Sequence, residues 1–186
     1  MNFSGQLEKI AAAHPKQIIL REKDMDESGY ARLLSACNDI CQSYQVPLFA
    51  HTFINAAKTC GIHKIHLPLP LLQTLGHRPQ GFETVGTSIH SASEAVTAQA
   101  LGADYITAGH VFETDCKAGL PGRGLDFIKA VAHHVTIPVY AIGGITPENM
   151  PDVLAAGAAG GCMMSSLMKS GCPKALIQGG PSHDFL

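Results

Sequence analysis

The stretch Tyr105-Ile-Thr-Ala-Gly-His-Val-Phe-Glu-Thr114 puts one imidazole, His110, directly after a short apolar run and a glycine. Histidine is the usual proton carrier near neutral pH, and a preceding glycine leaves room for a ligand beside it. His110 is therefore the candidate acid/base residue. Thr114 and Lys117 follow in a loop long enough to cover a ligand. Two further runs end in groups suited to an anion. Val139-Tyr-Ala-Ile is followed by Gly143-Gly144, and Gly160-Gly-Cys-Met-Met by Ser165-Ser166. Glycines let main-chain N–H groups approach a phosphate closely, and serine hydroxyls add donors. Near the start, Gln17-Ile-Ile-Leu-Arg-Glu-Lys places Arg21 and Lys23 on the same side of an extended segment, where two cations can hold a carboxylate or a phosphate. Ser88 and His90 end another run. Ser88 is a candidate ligand contact and His90 reads as a pre-helix loop residue. His51 and His66 also end runs. The pairs His63/His66 and His133/His134 lack carboxylate partners, so no metal site is expected.

Short apolar runs alternate with longer amphipathic segments, which positions these groups at strand ends. Strands are expected over Gln17–Arg21, Pro47–Ala50, Lys64–Leu67, Thr84–Ser88, Asp104–His110, Pro138–Ile142 and Gly160–Met164. Helices are expected over Ser4–His14, Glu27–Tyr44, Phe53–Cys60, Leu71–Leu75, Ser91–Leu101, Leu125–His134 and Thr146–Ala156. Ser4 and Ser91 serve as N-caps, and Glu94 completes a capping box. Pro147 occupies a first helical position, with Gly102 and Gly157 as terminators. Residues 111–124 form a Gly-rich loop. Seven strands separated by helices mean βα units and a parallel sheet, with strands apolar throughout. The reading is an α/β, TIM-type (β/α)₈ barrel that lacks its first strand and has a weak last helix; an open doubly wound sheet is the alternative. Residues 1–170 make one barrel domain and 171–186 an irregular tail. In such a barrel function sits at the C-terminal strand tips, and phosphate sites form after the last two strands.

The composition agrees with a buried α/β core. Of 186 residues, 46% are hydrophobic and 15% charged, with a net charge of −2, which argues against disorder and against a nucleic-acid surface. The six cysteines, Cys37, Cys41, Cys60, Cys116, Cys162 and Cys172, show no CxxC spacing and are expected buried and reduced. No apolar stretch reaches membrane-spanning length, and no signal peptide is visible, so a cytoplasmic location is expected. A barrel lacking one strand would expose edges, so a homo-oligomer is possible.

The segments LREKD, GTSIHSASEA, GADYITAGHVFETDCKAGLPGRG, PVYAIGGITPEN and GAAGGCMMSSL together resemble the thiamin phosphate synthase/TenI-type thiazole tautomerase superfamily, over roughly Gln17 to Leu167. The resemblance implies a (β/α)₈ barrel binding a thiazole phosphate, with a further strand ahead of the helix at Ser4. Gly109–Lys117 matches the tautomerase motif, which implies that His110 moves a proton to aromatise a carboxythiazole phosphate without a cofactor. Arg21 or Lys23 would hold the carboxylate, and Gly143, Gly144, Ser165 and Ser166 the phosphate. The alternative, thiamin phosphate synthase, joins hydroxymethylpyrimidine diphosphate to thiazole phosphate and uses Mg²⁺. It needs Asn-Asp where this chain has His51-Thr52, and an acid after His66-Leu-Pro68, where none follows. Arg21, Lys23, Thr114 and Lys117 match the synthase pattern. A third reading is a non-catalytic regulator that binds thiazole or thiamin phosphate.

Overall fold

The computed structural model describes residues 2–114, 117 and 119–178. The chain runs α1 (Phe3–Ala11), β1 (Ile18–Leu20), α2 (Glu27–Ser43), β2 (Leu48–His51), α3 (Ile54–Thr59), β3 (Lys64–Pro68), α4 (Leu69–Leu75), β4 (Thr84–Ile89), α5 (Ala92–Ala100), β5 (Tyr105–Gly109), α6 (Gly124–His134), β6 (Val139–Ile142), α7 (Met150–Ala155), β7 (Gly160–Cys162), α8 (Ser165–Lys169) and α9 (Pro173–Gln178). All seven strands are parallel and lie in sequence order in one sheet. That order excludes the doubly wound alternative, whose strand order must reverse at a switch point. The sheet is a barrel wall with one opening: among the described residues, β1 pairs only with β2 and β7 only with β6.

The outer helical layer closes across that opening. Ile10 and Ala13 from the α1 segment pack with Leu167 and Ile177 of α8 and α9. The Gln6 amide donates to the carbonyls of Leu167 and Ser170, and the Gln178 amide donates to that of Ala13. The stretch after residue 170, expected to be irregular, thus contains a helix. Pro173 suits a first helical turn, and burial of Ile177 against α1 supplies the stability that so short a helix lacks alone.

Local chemistry explains most element ends. Asp26 accepts from Gly29 N–H at 2.7 Å and caps α2. Asn2, rather than Ser4, caps α1 and accepts from Ser4 N–H. Ser91 caps α5 by accepting from Glu94 N–H, while the Glu94 carboxylate reaches back to His90 N–H. Thr146 and Asn149 bond reciprocally, so Pro147 sits in a capped turn and α7 proper begins at Met150. Between β4 and β5, Arg78 spans the carbonyls of Gly102, Phe82 and Glu83 and pairs with Asp104.

Alternation along each strand divides the core in two. Outward positions such as Ile65, Val85, Ile106, Ala108 and Ala141 pack under the helices in the main cluster. Inward positions form a smaller plug of Phe49, Tyr105, Tyr140 and Cys162. Gly86 makes room for it, because a side chain there would overlap the Tyr105 ring. The sequence predicts strands apolar throughout, but His51, His66, Thr87 and Thr107 are buried within them, Thr87 on the helix-facing side with its hydroxyl donating to Leu67 O. A packed parallel barrel needs apolar groups only on its helix-facing side, since inward polar groups can bond one another. The cysteines also divide. Cys37, Cys41 and Cys162 are buried, and burial pushes their thiols up to about 12, 11 and 12. Cys60 is half-buried and Cys172, beyond the sheet in the α8–α9 turn, is exposed. Cys116 lies outside the described residues. No described helix is long and apolar enough to cross a membrane.

Candidate active site

The strand tips gather the predicted residues into two groups. The first stands over β5, β6 and β7. His110 follows β5 directly after a cis Gly109–His110 peptide, is half-buried, and has its Nε2 3.3 Å from the Leu120 carbonyl. Gly143 and Gly144 follow β6 with φ of +97° and +67°, a region that favours glycine. A Cβ on Gly143 would collide with the Cα and Cβ of His110; one on Gly144 would meet the Glu113 carbonyl and the Phe112 Cβ. The two loops are stitched together: Val111 N–H donates to Ile142 O and Phe112 N–H to Gly143 O, both at 3.0 Å. Asn149 fixes the outer peptide by donating to Gly144 O at 2.8 Å. The Cα and Cβ of His110 therefore lie against Gly143, so the residue expected to move protons and the glycine pair expected to approach an anion share one tip. Ser165 and Ser166 open α8 at the neighbouring tip, half-buried and exposed. Ile142 and Met164, both exposed, flank these tips with apolar surface.

Of the cover loop, Thr114 is half-buried and Lys117 exposed, and Lys117 N–H donates to Thr114 O. Asp115, Cys116 and Ala118 lie outside the described residues. His90, read as a loop residue, takes part in the tip: its Nδ1 lies 2.9 Å from the Gly109 carbonyl.

The second group stands over β1 to β4. Arg21 and Lys23 are exposed past β1, and neither forms an ion pair with a described residue. The Tyr30 hydroxyl joins the β1 and β2 tips, donating to Leu20 O at 2.8 Å and accepting from His51 N–H at 2.7 Å. Burial pushes this phenol up to about 12. His51 stacks on His66 with centroids 5.6 Å apart and planes at 18°. Its Nδ1 lies 2.7 Å from the Thr52 hydroxyl, and Thr52 has φ of +67°. Burial, then the Arg21 and Lys23 charges, hold His51 down to about 4; burial, then His51 and Arg21, hold His66 down to about 3. Both rings are therefore neutral near pH 7.

His66 joins a chain of polar groups that the strand pattern conceals. Its Nδ1 is 3.1 Å from the Tyr105 hydroxyl and its Nε2 2.8 Å from Ser88 Oγ, which lies 2.9 Å from Thr107 Oγ1. Ser88 was predicted as a ligand contact; the role of His66 and Tyr105 behind it was not. The available signal was register: His66, Ser88, Tyr105 and Thr107 all fall on inward parity of neighbouring strands.

Among the described residues, the β2 and β3 tips offer no carboxylate oxygens of the kind that Mg²⁺ takes. His51-Thr52 offers a buried imidazole bonded to a hydroxyl, and β3 runs through Pro68 straight into α4. Among the described residues, no group of three His, Cys, Asp or Glu is placed to hold a metal ion.

Comparison with known proteins sets the likeness. The chain is 35% identical to the thiamine-phosphate synthase of Methanocella arvoryzae over 168 residues, covering 88% of this chain and 79% of that protein. It is 34% identical to the thiamine-phosphate synthase of Nostoc sp. over 164 residues, 85% of this chain, but spans only 46% of the length of that relative. A solved thiamine phosphate pyrophosphorylase from Pyrococcus furiosus superposes with a TM-score of 0.80 over 94% of this chain and 85% of that one, at 23% identity, which speaks for the fold. These names favour the synthase side of the superfamily over the tautomerase side. The family model described as thiamine monophosphate synthase matches residues 1–167, and the chain belongs to that family.

Proposed function

We propose that this chain is an enzyme of thiamine biosynthesis that holds a thiazole phosphate at the open end of the barrel. The family match over residues 1–167 carries that reading. The phosphate would sit against the main chain of Gly143 and Gly144 with the hydroxyls of Ser165 and Ser166, and the ring would lie toward His110 and Ser88. Arg21, Lys23, Thr114 and Lys117 would take any second anionic group.

Two activities fit that ligand, each favoured by a different observation. The names of the relatives favour thiamine-phosphate synthase, which joins hydroxymethylpyrimidine diphosphate to thiazole phosphate. Arg21 and Lys23 suit its departing diphosphate. The described residues offer no carboxylate set of the kind that the Mg²⁺ of that reaction takes. The setting of His110 favours thiazole tautomerase. Its imidazole, carried on a backbone packed against Gly143, would take a ring proton as a base and return one to the exocyclic carbon as an acid, with Arg21 or Lys23 holding the carboxylate.

One pair of assays separates the readings. The purified chain is mixed with hydroxymethylpyrimidine diphosphate and thiazole phosphate plus Mg²⁺, and separately with the non-aromatic carboxythiazole phosphate. Diphosphate release in the first makes it a synthase. Aromatisation in the second, lost in His110→Ala, makes it a tautomerase. Thiazole phosphate binding with no turnover in either assay would leave a regulator and sink both catalytic readings.

A further inference from the structure

The Tyr105 phenol is buried, with Nδ1 of His66 3.1 Å away and the Gln17 side-chain amide placed as a donor to the phenol oxygen, which leaves His66 to take the phenol's own proton. A buried hydroxyl that fails to donate pays its full desolvation cost, so the phenol donates and Nδ1 accepts. A neutral imidazole has one N–H, which must then be on Nε2, where it points at Ser88 Oγ, 2.8 Å away. Ser88 thus receives a hydrogen bond from below, and the buried Thr107 hydroxyl, whose partner among the described residues is Ser88 Oγ at 2.9 Å, donates to it as well. Ser88 is the half-buried member of the chain, above His66 at 2% and Thr107 at 3% exposure. Its own proton is what remains to offer outward.

We propose that the buried Tyr105–His66 pair commits the Ser88 hydroxyl to donate at the barrel mouth, so that the site selects a ligand presenting a hydrogen-bond acceptor there. Suitable acceptors are a ring nitrogen or a carboxylate oxygen; a ligand presenting an N–H or O–H at that point would compete with His66 for the same lone pairs. Tyr105 and His66 act as positioning residues through Ser88. The proposal rests on the reading that the mouth holds a small heteroaromatic ligand, but its first test does not.

That first test is nitrogen NMR of the full chain labelled at histidine. The expected result is a neutral His66 ring with its proton on Nε2, shifting toward a mixture of tautomers in Tyr105→Phe. A wild-type ring protonated on Nδ1 overturns the proposal, and no variant is needed to learn it. The second test is calorimetry with thiazole phosphate. Ser88→Ala is expected to weaken binding about tenfold and Tyr105→Phe about threefold. The double variant should bind no more weakly than Ser88→Ala alone, because Tyr105 acts only through the serine. Independent, multiplying losses would overturn the relay. If wild type does not bind thiazole phosphate while the Nε2 tautomer is found, the relay stands and the ligand assignment fails.

Discussion

The tips over β2 and β3 and those over β5 and β6 are built on opposite plans. At the first, the side chains are engaged with one another. His51 is stacked on His66 and bonded near Thr52, and its backbone N–H is taken by Tyr30. At the second, the main chain does the binding of one loop to the other, and the half-buried His110 imidazole makes a long contact to Leu120 among the described residues. The first plan suits stability and the positioning of one half-buried hydroxyl, that of Ser88. The second suits chemistry, because proton transfer needs a ring that a ligand can reach.

The sharpest way to break this comparison is at His110. His110→Ala is expected to lower turnover on carboxythiazole phosphate by about 10²- to 10⁴-fold, as loss of an acid/base group does, with thiazole phosphate affinity changed little by calorimetry. Unchanged turnover would move the chemistry to the other tips. Gly143→Val comes next. Its branched side chain must occupy the space of the His110 Cα and Cβ at a φ of +97°, so the β5 and β6 loops must part. A stability loss of roughly 1–3 kcal/mol by denaturant melting is expected, with most activity gone.

The β2–β3 plan is tested by acid. His51 and His66 have folded-state values of about 4 and 3, below the ordinary 6.5. Below pH 6.5 the unfolded chain binds protons that the folded chain refuses, so stability falls as pH drops from 6.5 toward 4 and is fully present above 6.5. Each ring contributes on the order of a few kcal/mol across that window. Urea midpoints at pH 7 and pH 5 should differ clearly, and His51→Gln should reduce the difference; an equal pH response in that variant would mean that the ring is not the cause. The smallest effect is expected from a chelator: EDTA should leave the melting temperature and thiazole phosphate affinity unmoved, and a drop in either would reveal a metal that the described residues do not account for.

Much of this architecture was legible in the residues. Apolar runs between amphipathic segments gave seven parallel strands because burial on the helix-facing side demands them, as at Ile65, Val85 and Ile106. Local rules also placed His110, the glycine pair and the serine pair at strand tips, since each follows its run immediately. Other features were not legible, because they depend on residues far apart in the chain. His66 reads as one more strand-end histidine until β3, β4 and β5 pair in a register that stacks it between Tyr105 and Ser88. The α9 helix reads as broken tail until α1 supplies the surface that buries Ile177. Sequence by itself determined which residues alternate and where strands stop, for those are properties of neighbours a few positions apart. Tertiary structure alone decided which tips face one another and which polar groups end up neutral, because solvent exclusion and hydrogen-bond partners belong to the assembled barrel.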